Sequence, residues 1–486
     1  MTSGDRRLQK EPIMLTRSDL FLAPTVSRRA VNAFFSHFEP WKDEIHAIEI
    51  LHRGSPVLRI APAPYSCTDK REIYSLSKSF CSTAVGFLVD EGRLSLDARL
   101  VDLFPEDVPE DPQENLLKMK VRHILSMNSG HGGCAMPAMI RTENEIRSFM
   151  EQPIPYEPGT HFAYNTGATL MLSHIVERIT GMKLLDFLSW KLFMPLGISD
   201  VRWNRTPDGA NEGGCGIHVS VDDIAKLGLL YLRRGVWNGK RLLSEAWVKE
   251  ASSPISDNSM NGTPDWCAGY GFQFWVNARE GFRGDGAYGQ LCVVLPERDL
   301  VVAVQTELGD MQREIDRIMD FVPHLFDEDD TPDSALCLPE YAPIGSAEKT
   351  SGLEDRFFRL DQNAFGWTGC YFRYDPAADV MRFTFSNGVD QYAVTAGRGR
   401  WEESTVVTPK LKPKLVDLMS TPDAERNRIA ASYRAEDGRL VFAVRCLNCP
   451  HKMEWRFALN GDAFTADFES WGKLDPGVGA LTGTAM

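Results

Sequence analysis

A serine placed three residues before a lysine is the pattern in this 486-residue chain that most directly suggests chemistry. It occurs in three places: Ser75/Lys78, Ser346/Lys349 and Ser470/Lys473. Only after Ser75 do apolar residues recur at intervals of three and four, which predicts a buried helix starting near Ser75. A spacing of three on a helix puts both side chains on one face, so the hydroxyl and the amine can touch.

Contact between these two groups would make Ser75 a nucleophile. A serine hydroxyl is weak until an adjacent base takes its proton, and a lysine is a base only when its pKa is lowered. Desolvation at the buried helix end and repulsion from the positive helix N-terminus both lower the pKa of Lys78. Backbone N–H groups at the same helix start can stabilise an oxyanion. The alternative is a solvated serine and lysine, because short motifs often occur by chance.

The elements around Ser75 predict one α/β unit that positions it. Apolar runs with strand character predict strands over residues 45–51, 56–60, 270–276, 288–295 and 300–306. Helical spacing predicts further helices over residues 170–179, 184–193, 221–232 and 311–326. We therefore expect an antiparallel sheet flanked by helices. Its N-terminal hairpin pairs with the later strands, and a helical subdomain is inserted between them.

The rest of the chain predicts a second domain. Residues 327–352 are acidic and contain several prolines, as linkers do. Residues 353–486 alternate apolar and polar residues in short runs, which is typical of a β-barrel or β-sandwich. We expect a catalytic-size domain over 15–326, a linker over 327–352 and a C-terminal all-β domain over 353–486.

Charge and composition exclude several classes of function. Lys plus Arg number 53 and Asp plus Glu 67, and the net charge of −14 repels nucleic acid and anionic lipid. The N-terminus has no apolar signal segment, and no apolar run is long enough for a membrane span, so we expect a cytoplasmic protein. Ten scattered cysteines fit reduced thiols. Cys446 and Cys449 form one C-x-x-C pair without a second, so we predict no metal.

Several motifs in one order resemble the serine β-lactamase-like family, which includes class C β-lactamases, D-alanyl-D-alanine carboxypeptidases and carboxylesterases. The first motif is Ser75-x-x-Lys78. The others follow at family-like spacing: Val121 to Gly130, Tyr156-Glu157-Pro158-Gly159-Thr160, Tyr164-Asn165-Thr166, Pro195-Leu196-Gly197, Asp222 to Lys226 and Gly286 to Gln290. The resemblance covers roughly residues 45–326 and is far more specific than one short motif.

The resemblance implies roles for three residues. Ser75 corresponds to the acylated nucleophile and Lys78 to its base. Tyr164 corresponds to the tyrosine that passes a proton to the leaving group and helps activate the deacylating water. A tyrosine with an ordinary pKa near 10 is a poor base at neutral pH. We therefore expect Lys78 to favour the Tyr164 phenolate.

The second motif departs from the family pattern. The family commonly has Tyr-x-Asn, whose amide binds an acyl side chain, and this chain has Tyr164-Asn165-Thr166. A hydroxyl thus replaces the amide. The resemblance implies that Asn165 and Thr166 contact the substrate. It also implies that the hydroxyl in place of the amide changes which substrate is accepted.

The third motif also departs. The family has Lys-Thr-Gly or His/Trp-x-Gly, and Gly284-Asp285-Gly286 stands in its place. The first position therefore carries no cation that could bind a substrate carboxylate. The lack of this cation argues against potent β-lactamase activity, unless Arg283 substitutes for it. Glycines at 284 and 286 would let an acyl group lie close against the strand. The N–H groups of Ala287 and Ser75 would then form the oxyanion hole.

Together these residues predict a serine hydrolase that cleaves an ester or amide through an acyl-enzyme. A carboxylesterase or small amidase is the first expectation, with a small-molecule acyl substrate, no cofactor and no metal. A D-alanyl carboxypeptidase or a β-lactamase is the second. A catalytically silent protein that only binds such ligands is a third, because two motifs are altered. The sequence does not indicate an oligomeric state.

Overall fold

The structure is a computed structural model that describes residues 19–39, 42–329, 335–341, 343–345, 352–363, 365–407, 426–436, 438–471 and 480–486. Its α-helices are α1 Arg28–Phe35, α2 Ser77–Asp90, α3 Leu100–Leu103, α4 Glu114–Lys118, α5 Val121–Leu125, α6 Met136–Met139, α7 Glu145–Glu151, α8 Thr166–Thr180, α9 Leu184–Leu188, α10 Met194–Leu196, α11 Val221–Leu232, α12 Glu245–Ala251 and α13 Met311–Phe321.

The strands fall into two groups along the chain. Those up to residue 307 are β1 Leu20–Leu22, β2 Glu44–His52, β3 Ser55–Ile60, β4 Arg71–Glu72, β5 Arg202–Trp203, β6 Ile217–Val219, β7 Val236–Trp237, β8 Lys240–Arg241, β9 Trp275–Val276, β10 Phe282–Gly286, β11 Gln290–Leu295 and β12 Leu300–Glu307. The later ones are β13 Phe357–Leu360, β14 Gly369–Asp375, β15 Val380–Ser386, β16 Gln391–Arg398, β17 Glu402–Val407, β18 Arg426–Glu436, β19 Arg439–Cys446, β20 Lys452–Asn460, β21 Ala463–Trp471 and β22 Leu481–Ala485.

A seven-stranded antiparallel sheet organises the first part of the chain. Its order is β1-β3-β2-β12-β11-β10-β9, so the N-terminal hairpin pairs directly with the late strand β12. Side chains on β12 alternate between two cores: Val301 and Ala303 face the helical subdomain, and Val302 and Val304 face α1 and α13. Burial on both faces explains why these strands read as nearly continuous apolar runs.

Residues 61–274 form the inserted helical subdomain, with α2 buried in it over almost its whole length. The C-terminal strands form a ten-stranded sheet in the order β16-β15-β14-β13-β22-β21-β20-β19-β18-β17, and a further parallel pairing of β16 with β18 closes it into a barrel. Stacked rings of Trp367, Phe385, Phe457 and Trp455 fill its interior. The predicted fold class is thereby confirmed, with a barrel as the C-terminal all-β domain.

Some predicted boundaries differ from the structure. The strand expected over 270–276 is reduced to β9, because Gln273 has a positive φ of 65° and Gly269 one of 116°, which break an extended chain. The helix expected over 311–326 ends as an α-helix at Phe321 and continues only as a short 3-10 turn. The domain limits 15–326, 327–352 and 353–486 stay predictions, and parts of them lie outside the described residues.

Candidate active site

Ser75 lies in a 3-10 turn, Tyr74–Leu76, that leads directly into α2. We call Tyr74–Leu76 the nucleophile turn. The α-helix thus begins at Ser77, two residues later than the sequence predicted, because Ser75 and Leu76 belong to the 3-10 turn. Tyr74, at the start of the turn, has a left-handed φ of 47°. The Ser77 hydroxyl donates a 2.5 Å hydrogen bond to the Tyr74 carbonyl and holds the turn. Ser75 is half-buried at the mouth of the helix.

Lys78 lies next to Ser75 and contacts only neutral oxygens. Its Nζ is 3.1 Å from Ser75 Oγ, 3.2 Å from Thr166 Oγ1 and 2.6 Å from the Gly214 carbonyl oxygen. The side chain is 1% exposed. Burial therefore lowers the pKa of Lys78 from 10.5 to about 8, and the more distant Cys215 and Asp285 oppose this only weakly. The amine becomes a usable base near neutral pH.

Tyr164 completes the group, but in a different protonation state from the one predicted. Its ring centroid is 4.9 Å from Lys78 Nζ, and its side chain hydrogen-bonds Ser75. Burial, followed by the nearby Asp285 carboxyl, raises the pKa of Tyr164 far above 10. Burial thus disfavours the expected phenolate. A protonated Tyr164 can act as a neutral relay beside the nucleophile.

Asn165 and Thr166 support the site from below. Asn165 caps α8, where its Oδ1 accepts hydrogen bonds from the N–H groups of Ala168 and Ala135, and it is fully buried. It is therefore not placed where a substrate could touch it. Thr166 is also buried and places its hydroxyl on Lys78. Thr166 thus positions the base Lys78, whereas Asn165 holds the start of α8. The predicted substrate contact of Thr166 stays a prediction.

Gly284 and Gly286 lie on β10, which packs against the nucleophile turn. A Cβ at Gly286 would overlap the Ile73 carbonyl oxygen, and one at Gly284 would overlap Leu76 and Ser79. Glycine is therefore required at both positions, but for another reason than the predicted one. The atoms that leave no space for a Cβ belong to Leu76 in the nucleophile turn and to Ile73 and Ser79 on either side of it. Ala287 follows in the turn 287–289 beside Tyr74, and its role as an oxyanion donor stays a prediction.

Arg283 is not available to a substrate. Its guanidinium is completely buried, pairs with Asp285 at 3.1 Å, and donates to Asn277 Oδ1 at 3.0 Å and to the Asp265 carbonyl at 2.9 Å. It also lies over the Trp266 ring, 4.6 Å from the centroid. The third motif thus presents no free cation, and the idea that Arg283 replaces the family's lysine is wrong.

Aromatic side chains from residues 270–275 pack behind Tyr164. The Trp275 ring stacks on Tyr164 at 5.5 Å, and Tyr270 packs edge-on against both. Trp275 and Tyr270 are buried in the core, so their use is packing. Sequence reasoning missed Gly214, whose carbonyl holds Lys78. The signal for it was the glycine run 213–216, in which Gly213 and Gly216 have positive φ values.

Comparisons with known proteins indicate the family and the fold of the chain. A family model described as Beta-lactamase matches residues 47–319. The chain is 28% identical over 276 residues to the 6-aminohexanoate-dimer hydrolase of Paenarthrobacter ureafaciens, covering 51% of this chain and 69% of that protein. It is 25% identical to penicillin-binding protein 4 of Amycolatopsis lactamdurans, covering 54% and 76%. A shorter match, 28% identical over 28% of this chain and 40% of the relative, is to the lovastatin esterase of Penicillium rubens.

Solved structures share the fold of the first domain. EstCE1, described as a hydrolase with promiscuous acyltransferase activity, matches with a TM-score of 0.51 at 17% identity, over 60% of this chain and 97% of that one. A family VIII carboxylesterase matches with a TM-score of 0.50 at 18% identity, over 63% and 98%. Within the described part of the chain, no helix is long and apolar enough to cross a bilayer.

Proposed function

The chain belongs to the beta-lactamase family, whose members are serine hydrolases, and on this premise we propose that it cleaves an ester or amide through an acyl-enzyme on Ser75. The observation that carries the proposal is the 3.1 Å contact between Ser75 Oγ and a buried Lys78 whose pKa burial lowers to about 8. A lysine in that state removes the proton that keeps a serine hydroxyl unreactive.

Acylation proceeds by attack of Ser75 Oγ on the carbonyl carbon. The neutral Lys78 amine takes the hydroxyl proton, and the N–H groups of Ser75 and Ala287 hold the oxyanion. When the tetrahedral intermediate collapses, the bond to the leaving group breaks. The Lys78 proton passes through the neutral Tyr164 hydroxyl to the departing alkoxide or amine.

Deacylation reverses these roles with water. Water attacks the acyl carbonyl and gives its proton to Lys78, with Tyr164 as the relay. The ester bond to Ser75 then breaks, Ser75 Oγ recovers the proton, and the acid leaves. The sum is addition of one water to the substrate, and the enzyme ends in its starting protonation state.

The substrate proposed is a small acyl ester without a carboxylate on its acyl part. Gly284 stands where a cation would bind such a carboxylate, and Arg283 is fully engaged by Asp285, Asn277 and a backbone carbonyl. Relatives named as a lovastatin esterase and as a 6-aminohexanoate-dimer hydrolase support this class. The similarity to penicillin-binding protein 4 favours D-alanyl carboxypeptidase or β-lactamase activity as the second candidate.

Labelling with a fluorophosphonate tests the nucleophile. The wild type should gain one phosphonyl group on the peptide that contains Ser75, and Ser75→Ala should gain none. Ser346→Ala is the matched control, since it removes the serine of another Ser-x-x-Lys pattern and should label like the wild type. A wild type that stays unlabelled would favour the catalytically silent binding protein.

Turnover of two substrates separates the enzyme classes. The proposal expects faster hydrolysis of short p-nitrophenyl acyl esters than of a chromogenic cephalosporin. Faster cephalosporin hydrolysis would reverse the order of the two candidates.

The proposal extends to a cytoplasmic location, supported by ten cysteines that are all free thiols. Cell fractionation followed by thiol labelling checks it.

A further inference from the structure

One turn of the C-terminal barrel is fastened to the segment that leads into Ser75. The turn, residues 446–451, connects β19 and β20, and we call it the docking turn. The buried Arg71 guanidinium donates to three of its carbonyl oxygens, those of Cys446 at 3.1 Å, Leu447 at 3.0 Å and Cys449 at 2.6 Å. The Glu72 N–H donates to the Asn448 carbonyl at 2.9 Å. Four consecutive backbone carbonyls thus hold β4.

His451 extends this contact to the nucleophile turn itself. Its Nε2 lies 2.6 Å from the Tyr74 hydroxyl, and both side chains are buried. The ring also packs edge-on against Tyr288, with centroids 5.0 Å apart, while Tyr288 packs edge-on against Tyr74 at 5.3 Å. A single histidine from the end of the chain therefore contacts two tyrosines of the hydrolase domain.

These two tyrosines flank the proposed oxyanion donors. Tyr74 precedes Ser75 and Tyr288 follows Ala287, and their φ values are 47° and 65°. A bulky L-residue in that left-handed region is strained and persists only where its surroundings fix it. Contacts with His451 help to hold both Tyr74 and Tyr288 in this conformation. A shift of either tyrosine would move the neighbouring N–H away from the oxyanion.

We propose that His451 is a positioning residue for the reaction: through Tyr74 and Tyr288, the C-terminal barrel fixes the two N–H groups that form the oxyanion hole. This inference rests on the proposed function, because it concerns the oxyanion donors of that reaction. His451 acts through other residues and does not touch Ser75 Oγ or Lys78 in the contacts described. It therefore affects the rate of acyl transfer and leaves the base unchanged.

The surroundings of His451 supply its other partners from within the chain. Its Nδ1 is 3.8 Å from Glu307 Oε1, and Lys452 Nζ is 3.1 Å from Glu307. Arg445 holds both oxygens of Glu44 at 2.9 Å. Carboxylates and cations are thus paired across the interface in the described residues. This arrangement fits a fixed support for the nucleophile turn.

A double-mutant cycle on the full-length protein tests the proposal. His451→Ala is expected to lower kcat for a p-nitrophenyl ester about 10- to 100-fold, because small displacements of catalytic groups have effects of that size. KM should stay within twofold, and phosphonylation of Ser75 should slow by the same factor as kcat. Tyr74→Phe removes only the hydrogen bond and leaves the contact of His451 with Tyr288, so it should lose part of this factor. The double variant should lose no more than His451→Ala alone, since both substitutions remove the same hydrogen bond.

Two further variants separate positioning from stability. His451→Gln retains a polar side chain and should recover part of the loss. Arg428→Gln removes an ion pair between the barrel and Asp69, 3.0 Å long, which does not contact the nucleophile turn, and should turn over like the wild type. The acid limb of the pH profile, set by Lys78, should not move in His451→Ala. If His451→Ala does not fold, the kcat values of His451→Gln and Tyr74→Phe test the proposal in its place.

Several results would overturn the inference. These are a kcat of His451→Ala equal to that of Arg428→Gln, losses that multiply in the double variant, or an increase in KM with kcat unchanged. In each of these cases Ser75 of the wild type would still be phosphonylated, so the proposed function would stand. A wild type that is neither labelled nor active would remove the proposed function, and this inference with it.

Discussion

The candidate active site and the interface with the barrel both bury cationic side chains, and they put them to opposite uses. At the candidate active site, Lys78 contacts a hydroxyl of Ser75, a hydroxyl of Thr166 and a backbone carbonyl. At the interface with the barrel, Arg445 contacts both oxygens of Glu44 at 2.9 Å, and Lys452 contacts Glu307 at 3.1 Å. All of these cationic side chains are 0% or 1% exposed.

Partner charge decides what burial does to each cation. Burial without a carboxylate contact lowers the pKa of Lys78 to about 8. Burial also disfavours the charged form of Arg445, but attraction to Glu44 outweighs it and raises the pKa of the guanidinium. The first arrangement gives a proton acceptor, and the second gives a permanent charge that fastens two domains. We therefore expect substitutions at the active site to lower activity, and substitutions at the interface to lower stability.

Replacing the base should give the largest effect. Lys78→Met is expected to lower kcat/KM for an ester by a factor of about 10³ to 10⁴, because proton removal from Ser75 is lost. The free energy of unfolding should rise by no more than about 2 kcal/mol. Release of the desolvation that lowers the pKa from 10.5 to about 8 contributes about 3 kcal/mol, and loss of the donor to Gly214 removes about 1–3 kcal/mol. Ester kinetics and urea unfolding measure both quantities.

Breaking the interface pair should act on stability instead. Glu44→Ala leaves Arg445 without its bidentate partner in a buried site, and we expect a loss of about 3–5 kcal/mol in the free energy of unfolding. Glu39→Ala is the matched control, because it removes an exposed pair with Lys42 and should change stability by less than about 1 kcal/mol. Equal urea midpoints for the two variants would contradict the comparison.

The smallest effect is a pH dependence that only the first site should produce. Since the neutral amine of Lys78 is the active form, kcat/KM should rise about tenfold per pH unit below pH 8 and level off above it. Stability follows the same sign: between pH 8 and 10.5 the unfolded chain holds a proton that the folded chain has released, so stability rises with pH there. A flat rate profile from pH 6 to 8 would exclude Lys78 as the base.

Local pattern predicted much of this architecture. Strands β2, β3, β11 and β12 could be predicted because their apolar residues form short, nearly continuous runs. Helix α11 could be predicted over 221–232, as observed, because its apolar residues recur at helical spacing. The pair Ser75 and Lys78 could be predicted because its geometry depends on three residues of one turn. Elements with strained backbone were not predictable in this way, as the shortened β9 and the late start of α2 show.

Contacts between distant parts of the chain were beyond the sequence. Tyr74 and His451 are separated by 377 positions, and no local pattern relates them. The reason for Gly284 and Gly286 was also hidden, since the atoms they accommodate belong to Ile73, Leu76 and Ser79. The protonation of Tyr164 depends on how deeply its ring is buried and on the nearby Asp285 carboxyl, which only the folded structure reveals.

The pairing of Glu44 with Arg445 has a consequence for biosynthesis. The ribosome makes Glu44 about 400 residues before Arg445, and Glu307 well before Lys452, so both carboxylates emerge before the buried cations that pair with them exist. Until residue 452 has left the exit tunnel, these two ion pairs cannot form, and the acids on the central strands β2 and β12 keep their hydration. Two separate sheets are thus joined by these pairs only after β20 has been made.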